Sequence, residues 1–255
     1  MKKETKIAIH AAKAAGQIAK KYFQKGVKVE KKADNTPVTK ADRECEEKII
    51  GILKRQFPDY SILGEETGFT DNNSDCKWII DPIDGTKEFI AGLPFFGTLI
   101  GLEKKGKIVS GVAYLPLVNK LAFAEIGKGA YINSERIKVS KKDKLENSLV
   151  MYGSMRTFFK KDFGKRILDI IKIARSKSIG SAYGDILVAQ GIADASVEAV
   201  AYPWDIAALK IIIEEAGGKV TDFKGDGIID GGYSIMSNGS VHGKIVEILS
   251  DKNEV

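Results

Sequence analysis

The sequence predicts a mixed α/β chain, with an α+β half over residues 1–145 and an α/β half over residues 146–255, packed as one compact unit. Three observations predict this. The first stretch carries apolar residues at helical spacing, the middle is a series of short apolar runs, and after Lys144 helical and strand-like segments alternate. A chain of 255 residues fits one large domain or two intimately packed halves and is long enough to bury a substantial core.

Ile7, Ala11, Ala14, Ala15, Ile18 and Tyr22 recur at the spacing of one helix face, so a first helix is expected to end near Gly26. A basic, polar loop follows, from Lys28 through Lys31 and Lys32 to Pro37. Thr39 and Asp42 are spaced as a capping box and open a second helix with Ile49, Ile50, Leu53 and Phe57 on its apolar side. Ser61–Leu63 and Trp78–Ile80 read as buried strands, each ending in acidic residues. Thr98–Glu103, Ile108–Tyr114 and Leu121–Ala124 read as a meander with a turn at Lys105-Gly106. Pro203 and the run Ile206–Glu215 form a helix stopped by Gly217-Gly218, with proline at its start and glycine at its end.

Hydrophobic residues make up 44% and charged residues 29%, which sets the chain apart from disordered sequences. The net charge of +6 is spread along the chain, and its denser clusters at 138–144 and 160–166 read as solvated surface. Attraction of an anionic substrate is the alternative, and no nucleic acid is expected. Cys45 and Cys76 make neither a disulfide framework nor a Cys-x-x-Cys pair, which suits a reducing compartment. Lys6, Lys13, Gln17 and Lys20 interrupt the N-terminal stretch, and no later run is long enough to span a bilayer. A cytoplasmic protein without membrane contact is the expectation.

The chemistry concentrates in Trp78-Ile79-Ile80-Asp81-Pro82-Ile83-Asp84-Gly85-Thr86. An apolar strand delivers Asp81 and Asp84 toward one point, with the Ile83 carbonyl between them. Pro82 stiffens the turn and Gly85 lets backbone approach a ligand. Hard oxygen donors of this kind suit Mg²⁺, Mn²⁺ or Ca²⁺. A short helix starting near Gly85 would hold a phosphate on its free N–H groups. Gly64-Glu65-Glu66 is a second acidic strand end, weak alone and informative in combination. Asp42 and Asp205 each stand at a helix start, where a favourable contact with the helix dipole is the plainer explanation. Gly101-x4-Gly106-Lys107 imitates a nucleotide-binding loop, but Ile108 follows where Ser or Thr is required and the segment bridges two strands, so it reads as a hairpin. There is no Gly-x-Ser-x-Gly elbow, and His10 and His242 read as structural or exposed.

Pro37-Val38-Thr39-x-x-Asp42, Gly64-Glu65-Glu66, Asp81-Pro82-Ile83-Asp84-Gly85-Thr86 and Trp204-Asp205 follow one another in this order. In these motifs the chain resembles the inositol monophosphatase superfamily of lithium-sensitive phosphatases, over almost its whole length. The resemblance implies a layered αβαβα fold with metals at the junction of the halves and water as the nucleophile. It implies two or three Mg²⁺ ions per site, with Mn²⁺ as a substitute. Their ligands would be the side chains of Glu65, Asp81, Asp84 and Asp205 and the Ile83 carbonyl. Asp42 with Glu65 would help hold a looser metal, and Glu65 and Thr86 would orient and deprotonate the water. The N–H groups of Gly85 and Thr86 would grip the phosphate, and Lys31 or Lys32 would approach the site. The expected partners are a small phosphorylated metabolite and a second copy of the chain in a homodimer.

The motifs divide over the substrate. Thr86-Lys87-Glu88-Phe89-Ile90, Phe96-Gly97-Thr98, Val197-Glu198 and Trp204–Leu209 look most like the histidinol-phosphate phosphatase branch. Gly180-Ser181-Ala182 is closer to the inositol branch, with Ser181 where the histidinol branch has Asp. Lys87-Glu88-Phe89 also occurs in relatives acting on adenosine bisphosphates. Ser181, Glu198 and Asp205 are candidates for reading the substrate, and Glu198, expected at a strand end, suits sugar hydroxyls or an ammonium alike. Histidinol phosphate is favoured over inositol phosphate. A metal-binding regulatory module is the non-enzyme alternative, yet none of its expected damage to the metal or water-activating positions is present. A glycosidase also pairs carboxylates but has no use for the Gly-Thr phosphate grip.

Overall fold

The structure, a computed structural model, describes residues 1–25, 29–31 and 37–250. In chain order the first elements are α1 (Lys3–Lys25), β1 (Val29–Lys31), β2 (Pro37–Thr39), α2 (Lys40–Gln56), β3 (Ser61–Gly64), β4 (Gly68–Thr70), β5 (Cys76–Asp84) and α3 (Thr86–Ile90). The meander and its extension are β6 (Gly97–Lys104), β7 (Lys107–Leu115), β8 (Lys120–Glu125), β9 (Ala130–Ile132) and β10 (Glu135–Ile137). Then come β11 (Leu149–Tyr152), α4 (Met155–Lys160), α5 (Gly164–Ile173), β12 (Arg175–Lys177), α6 (Ser181–Ala189), β13 (Ala195–Ala201), α7 (Pro203–Glu215), β14 (Lys219–Thr221), β15 (Gly232–Ser237) and α8 (His242–Leu249). Lys32 lies outside the described residues, and so does the side chain of Lys31.

Two sheets organise the chain: an eight-stranded one in the order β10-β9-β8-β7-β6-β5-β3-β4 and a five-stranded one in the order β12-β11-β13-β15-β14. α1 and α2 pack on the outer face of the first sheet. α6 and α7 lie between the sheets, and α5 and α8 pair on the far side of the second. The layers run αβαβα, as the resemblance implies. Three main apolar clusters fill the gaps, around Ile49 and Trp78, around Leu99 and Ile212, and around Phe158 and Ile235. Area removed from water, at roughly 25 cal/mol per Å² of apolar surface, is the main force holding such layers together.

Gly101 on β6 pairs across the ladder with Gly111 on β7. A side chain at either would collide with α7: a Cβ on Gly101 would fall 2.9 Å from the Ala207 Cβ, and one on Gly111 would meet the Ala208 carbonyl. These paired glycines let α7 lie against bare sheet, which brings the start of α7 and Asp205 to the C-terminal end of β5. Gly101 is thus a packing residue inside β6, and the β6–β7 turn falls at Lys105 and Gly106, both with positive φ.

The structure extends the strand expected at Trp78–Ile80. β5 continues through Pro82 to Asp84, and its register against β6 slips between Asp81 and Asp84. Pro82, with no N–H to give, sits in this bulge, and its carbonyl accepts a 2.9 Å bond from the Thr98 hydroxyl. Glu198 likewise departs from expectation: it stands in the middle of β13, where a second register slip begins. His242 is buried between the Thr221 and Ser237 hydroxyls at 2.9 and 2.8 Å, and His10 is exposed. No helix among the described residues is long and apolar enough to cross a membrane.

Candidate active site

β3 and β5 form the one parallel pair among the described strands of the large sheet, so their C-terminal ends lie side by side. Glu65 leaves β3 with its N–H bonded to the Ile80 carbonyl at 3.1 Å, which places it beside Asp81. The turn that carries Glu65 is held from behind. Buried Glu46 on α2 accepts the N–H groups of Glu66 and Thr67 at 3.0 and 2.8 Å.

The bulge in β5 turns Asp84 toward Asp81, and α7 adds Asp205 from the third layer. Donor oxygens of Asp81, Asp84 and Asp205 all lie within 4.8 Å of one another. Asp205 spends one oxygen on the Tyr202 N–H at 2.8 Å, capping α7, and Asp84 accepts the Ala182 N–H at 2.6 Å. Asp81 Oδ1 is buried with no hydrogen-bond partner. Burial, then the charges of Glu65, Asp84 and Asp205, hold the Asp81 carboxyl well above the ordinary carboxylate range. Burial, then Asp205, does the same to Asp84. Burial pushes Asp205 up to about 7. Carboxylates gathered this closely without a cation repel one another, and the unpartnered Asp81 oxygen is costly to bury. An all-oxygen donor set that is short of positive charge fits a hard divalent cation.

Thr86 opens α3 directly after Gly85, whose φ is +83° and where a Cβ would fall 2.9 Å from the Phe95 carbonyl. Glycine is required there on both counts. The Thr86 hydroxyl stands 3.1 Å from the Ile83 carbonyl and 3.4 Å from Asp42 Oδ1. Asp42 is buried, with its other oxygen on the Thr39 N–H and hydroxyl at 2.8 and 2.6 Å. Asp42 therefore caps α2 and also faces Thr86 from behind the site.

These groups open onto a cavity of about 840 Å³, lined on the metal side by Glu65, Asp81, Ile83, Asp84, Thr86 and Asp205. Ser181, Asp185 and Glu198 line it too, Ser181 standing beside Gly85, with Lys87 and Arg156 exposed on its lining. A second cleft of about 550 Å³, between α1 and α2, shares no residue with it.

The family model for the inositol monophosphatase family matches residues 1–254. The chain belongs to the inositol monophosphatase family. It is 34% identical over 255 residues to a histidinol-phosphatase from Chlorobaculum parvum, covering 98% of each chain. It is 36% identical over 265 residues to a fructose-1,6-bisphosphatase/inositol-1-monophosphatase from Aquifex aeolicus, covering 100% of this chain and 98% of that one. The crystal structure of the extragenic suppressor protein suhB from Bartonella henselae superposes with a TM-score of 0.90 at 30% identity, covering 98% of each chain. As a member of the inositol monophosphatase family the chain is a phosphatase, a phosphoric monoester hydrolase, of a generally metal-dependent kind.

Within this family phosphatase, Glu65, Asp81, Ile83, Asp84, Gly85, Thr86, Ser181, Glu198 and Asp205 all line one cavity, and Asp42 touches it through Thr86. Glu65 lies outside the group of three whose donor atoms come within 4.8 Å, though its charge acts on Asp81. Two residues escaped the sequence reading: Asp185, in the cavity wall, and Glu46, behind the Glu65 turn. The signal for Asp185 was its spacing of four from Ser181, which puts both on one face of α6.

Proposed function

We propose that the chain hydrolyses a small phosphate monoester with the help of Mg²⁺ or Mn²⁺ held by Asp81, Asp84, Asp205, Glu65 and the Ile83 carbonyl. The observation that carries this is the convergence of Asp81, Asp84 and Asp205 within 4.8 Å around a buried, unpartnered oxygen. Bound there, the cation neutralises phosphoryl oxygens, stabilises the leaving oxygen and lowers the pKa of water. Glu65 and the Thr86 hydroxyl would orient the attacking water, whose proton would pass to Glu65 or to the Thr86 oxygen as that hydroxyl gives its own proton to Asp42. Asp42 accepts from the Thr86 hydroxyl and so fixes which way its oxygen lone pairs point. The N–H groups of Gly85 and Thr86 hold the phosphate, and exposed Lys87 favours approach of an anion. Glu198 reads the organic end.

Histidinol phosphate is the favoured substrate. The Lys87-Glu88-Phe89 and Trp204–Leu209 motifs support it, as does the similarity to a histidinol-phosphatase. Inositol 1-phosphate is the second reading, favoured by Ser181 and by similarity to proteins named for that activity. A phosphate-release screen separates them. Histidinol phosphate, inositol 1-phosphate, fructose 1,6-bisphosphate and 3′-phosphoadenosine 5′-phosphate are compared by kcat/KM in Mg²⁺. The first is expected to lead, and leadership by any other reassigns the substrate.

A further inference from the structure

The cavity lining beyond the metal ligands holds more carboxyl groups than the proposed reaction uses. Asp185 is 4% exposed, lines the cavity, and has a buried Oδ1 with no hydrogen-bond partner. Glu198 faces it from β13. Its carboxylate accepts the Ser181 N–H at 3.2 Å and fills a space cleared by Gly153 and Gly180, since a Cβ on either would collide with it. Two glycines on separate segments thus make room for one acid, which points to a fixed position for that carboxylate.

Among the described residues no cation answers this charge. Lys87 and Arg156 also line the cavity, but both are exposed, and among the described residues neither forms an ion pair with Asp185 or Glu198. Glu88 adds a further negative charge acting on Glu198. Burial pushes Asp185 up to about 7, and the Ser196 hydroxyl offsets part of the rise without closing a hydrogen bond. Burial, then the charge of Asp185, pushes Glu198 up to about 8. Each acid therefore raises the cost of ionising the other, and a positive ligand between them removes that cost. A polyol's hydroxyls donate hydrogen bonds to such a wall but bring no charge to balance it.

We propose that Asp185 and Glu198 together form a two-carboxylate subsite for a cationic group, an ammonium or imidazolium, on the organic end of the substrate. This rests on the phosphomonoesterase reading above and adds to it a substrate class: phosphate at one end, positive charge at the other. Asp185 is then a specificity residue, set about one helical turn along α6 from Ser181.

The test compares kcat/KM for histidinol phosphate and ethanolamine phosphate, which carry a cationic end, with that for inositol 1-phosphate and p-nitrophenyl phosphate, which do not. The wild type is expected to favour the cationic pair, and Asp185→Asn to lower that preference ratio by about tenfold or more, as for loss of a charge-assisted contact. Asp185→Glu is expected to recover part of the ratio. A wild type with no cationic preference, or an Asp185→Asn that lowers all four substrates equally, overturns the subsite. A second readout needs no variant. Histidinol is expected to inhibit p-nitrophenyl phosphate turnover by the wild type at least tenfold more tightly than inositol, and equal inhibition also overturns the subsite. Absence of turnover on every ester in Mg²⁺ is a different failure, that of the phosphatase reading itself.

Discussion

Asp84 and Ala182 stand 98 positions apart in the chain and are joined by a 2.6 Å hydrogen bond from the Ala182 N–H to Asp84 Oδ2. The neighbouring N–H, of Ser181, goes to Glu198 Oε1 at 3.2 Å. The first turn of α6 thus holds one acid of the metal cluster and one of the cavity lining beside it. Free N–H groups at a helix start favour negative charge, so this end of α6 orients both carboxylates at once. It also couples β5, in the first sheet, to β13, in the second.

Thr86→Ala is expected to lower kcat by roughly 10²-fold or more, the usual scale for losing a positioned proton-transfer partner. The hydroxyl lies within reach of the Ile83 carbonyl and of Asp42, so its orientation is set before substrate arrives. Cation affinity, measured by calorimetry, should change little. A near-normal kcat in this variant moves the role to another residue.

Glu46 acts at one remove, through the turn that carries Glu65. Glu46→Ala frees the N–H groups of Glu66 and Thr67, and each charge-assisted bond of this kind is worth about 1.5–3 kcal/mol. The expected outcome is weaker cation binding together with a lower melting temperature, with Glu46→Gln recovering part of both. Cation affinity equal to wild type in a folded Glu46→Ala would show that the turn keeps its shape unaided.

Stability of the metal-free protein should fall as pH rises. Asp185 and Asp205 move from the ordinary 3.8 to about 7, and Glu198 from 4.5 to about 8. Between about pH 4 and 8 the native state therefore holds protons that the unfolded chain has released. Their contribution is intact below that window and is lost as pH climbs through the folded values. Melting temperature in EDTA is expected to drop from pH 5 to pH 8, less steeply in Asp185→Asn, and Mg²⁺ should restore most at pH 8. A slope unchanged by Asp185→Asn would contradict the shift assigned to that residue.

Most helices and strands and the acidic clusters were legible because each piece announces itself locally, whereas the layered arrangement and the ligand roles came from the resemblance carried by the ordered motifs. The capping box at Thr39 and Asp42, the two acidic strand ends and the Pro203 helix start are all short-range patterns. What was not legible depended on distant partners. Pro82 looked like the end of a strand because the bulge that admits it is defined by register against β6. Glu198 looked like a strand end because β13 goes on past it in irregular pairing with β15. Glu46 resembles any solvated helix acid until the turn 20 residues on is seen to lie against it. Asp185 resembles a stray polar residue in an apolar helix until β13 is placed beside it.

If the buried carboxylates of β5 and the half-buried Asp205 of α7 are assembled for a divalent cation that phosphate release requires, removing that cation abolishes turnover. The decisive experiment follows phosphate release from a monoester by the purified protein in excess EDTA, then after adding back Mg²⁺, with Asp81→Asn in parallel. No turnover is expected in EDTA, with recovery in Mg²⁺. None is expected in Asp81→Asn under either condition, although that variant folds and its metal-free form melts no lower than wild type. Full turnover in excess EDTA would contradict the proposed role of the cation.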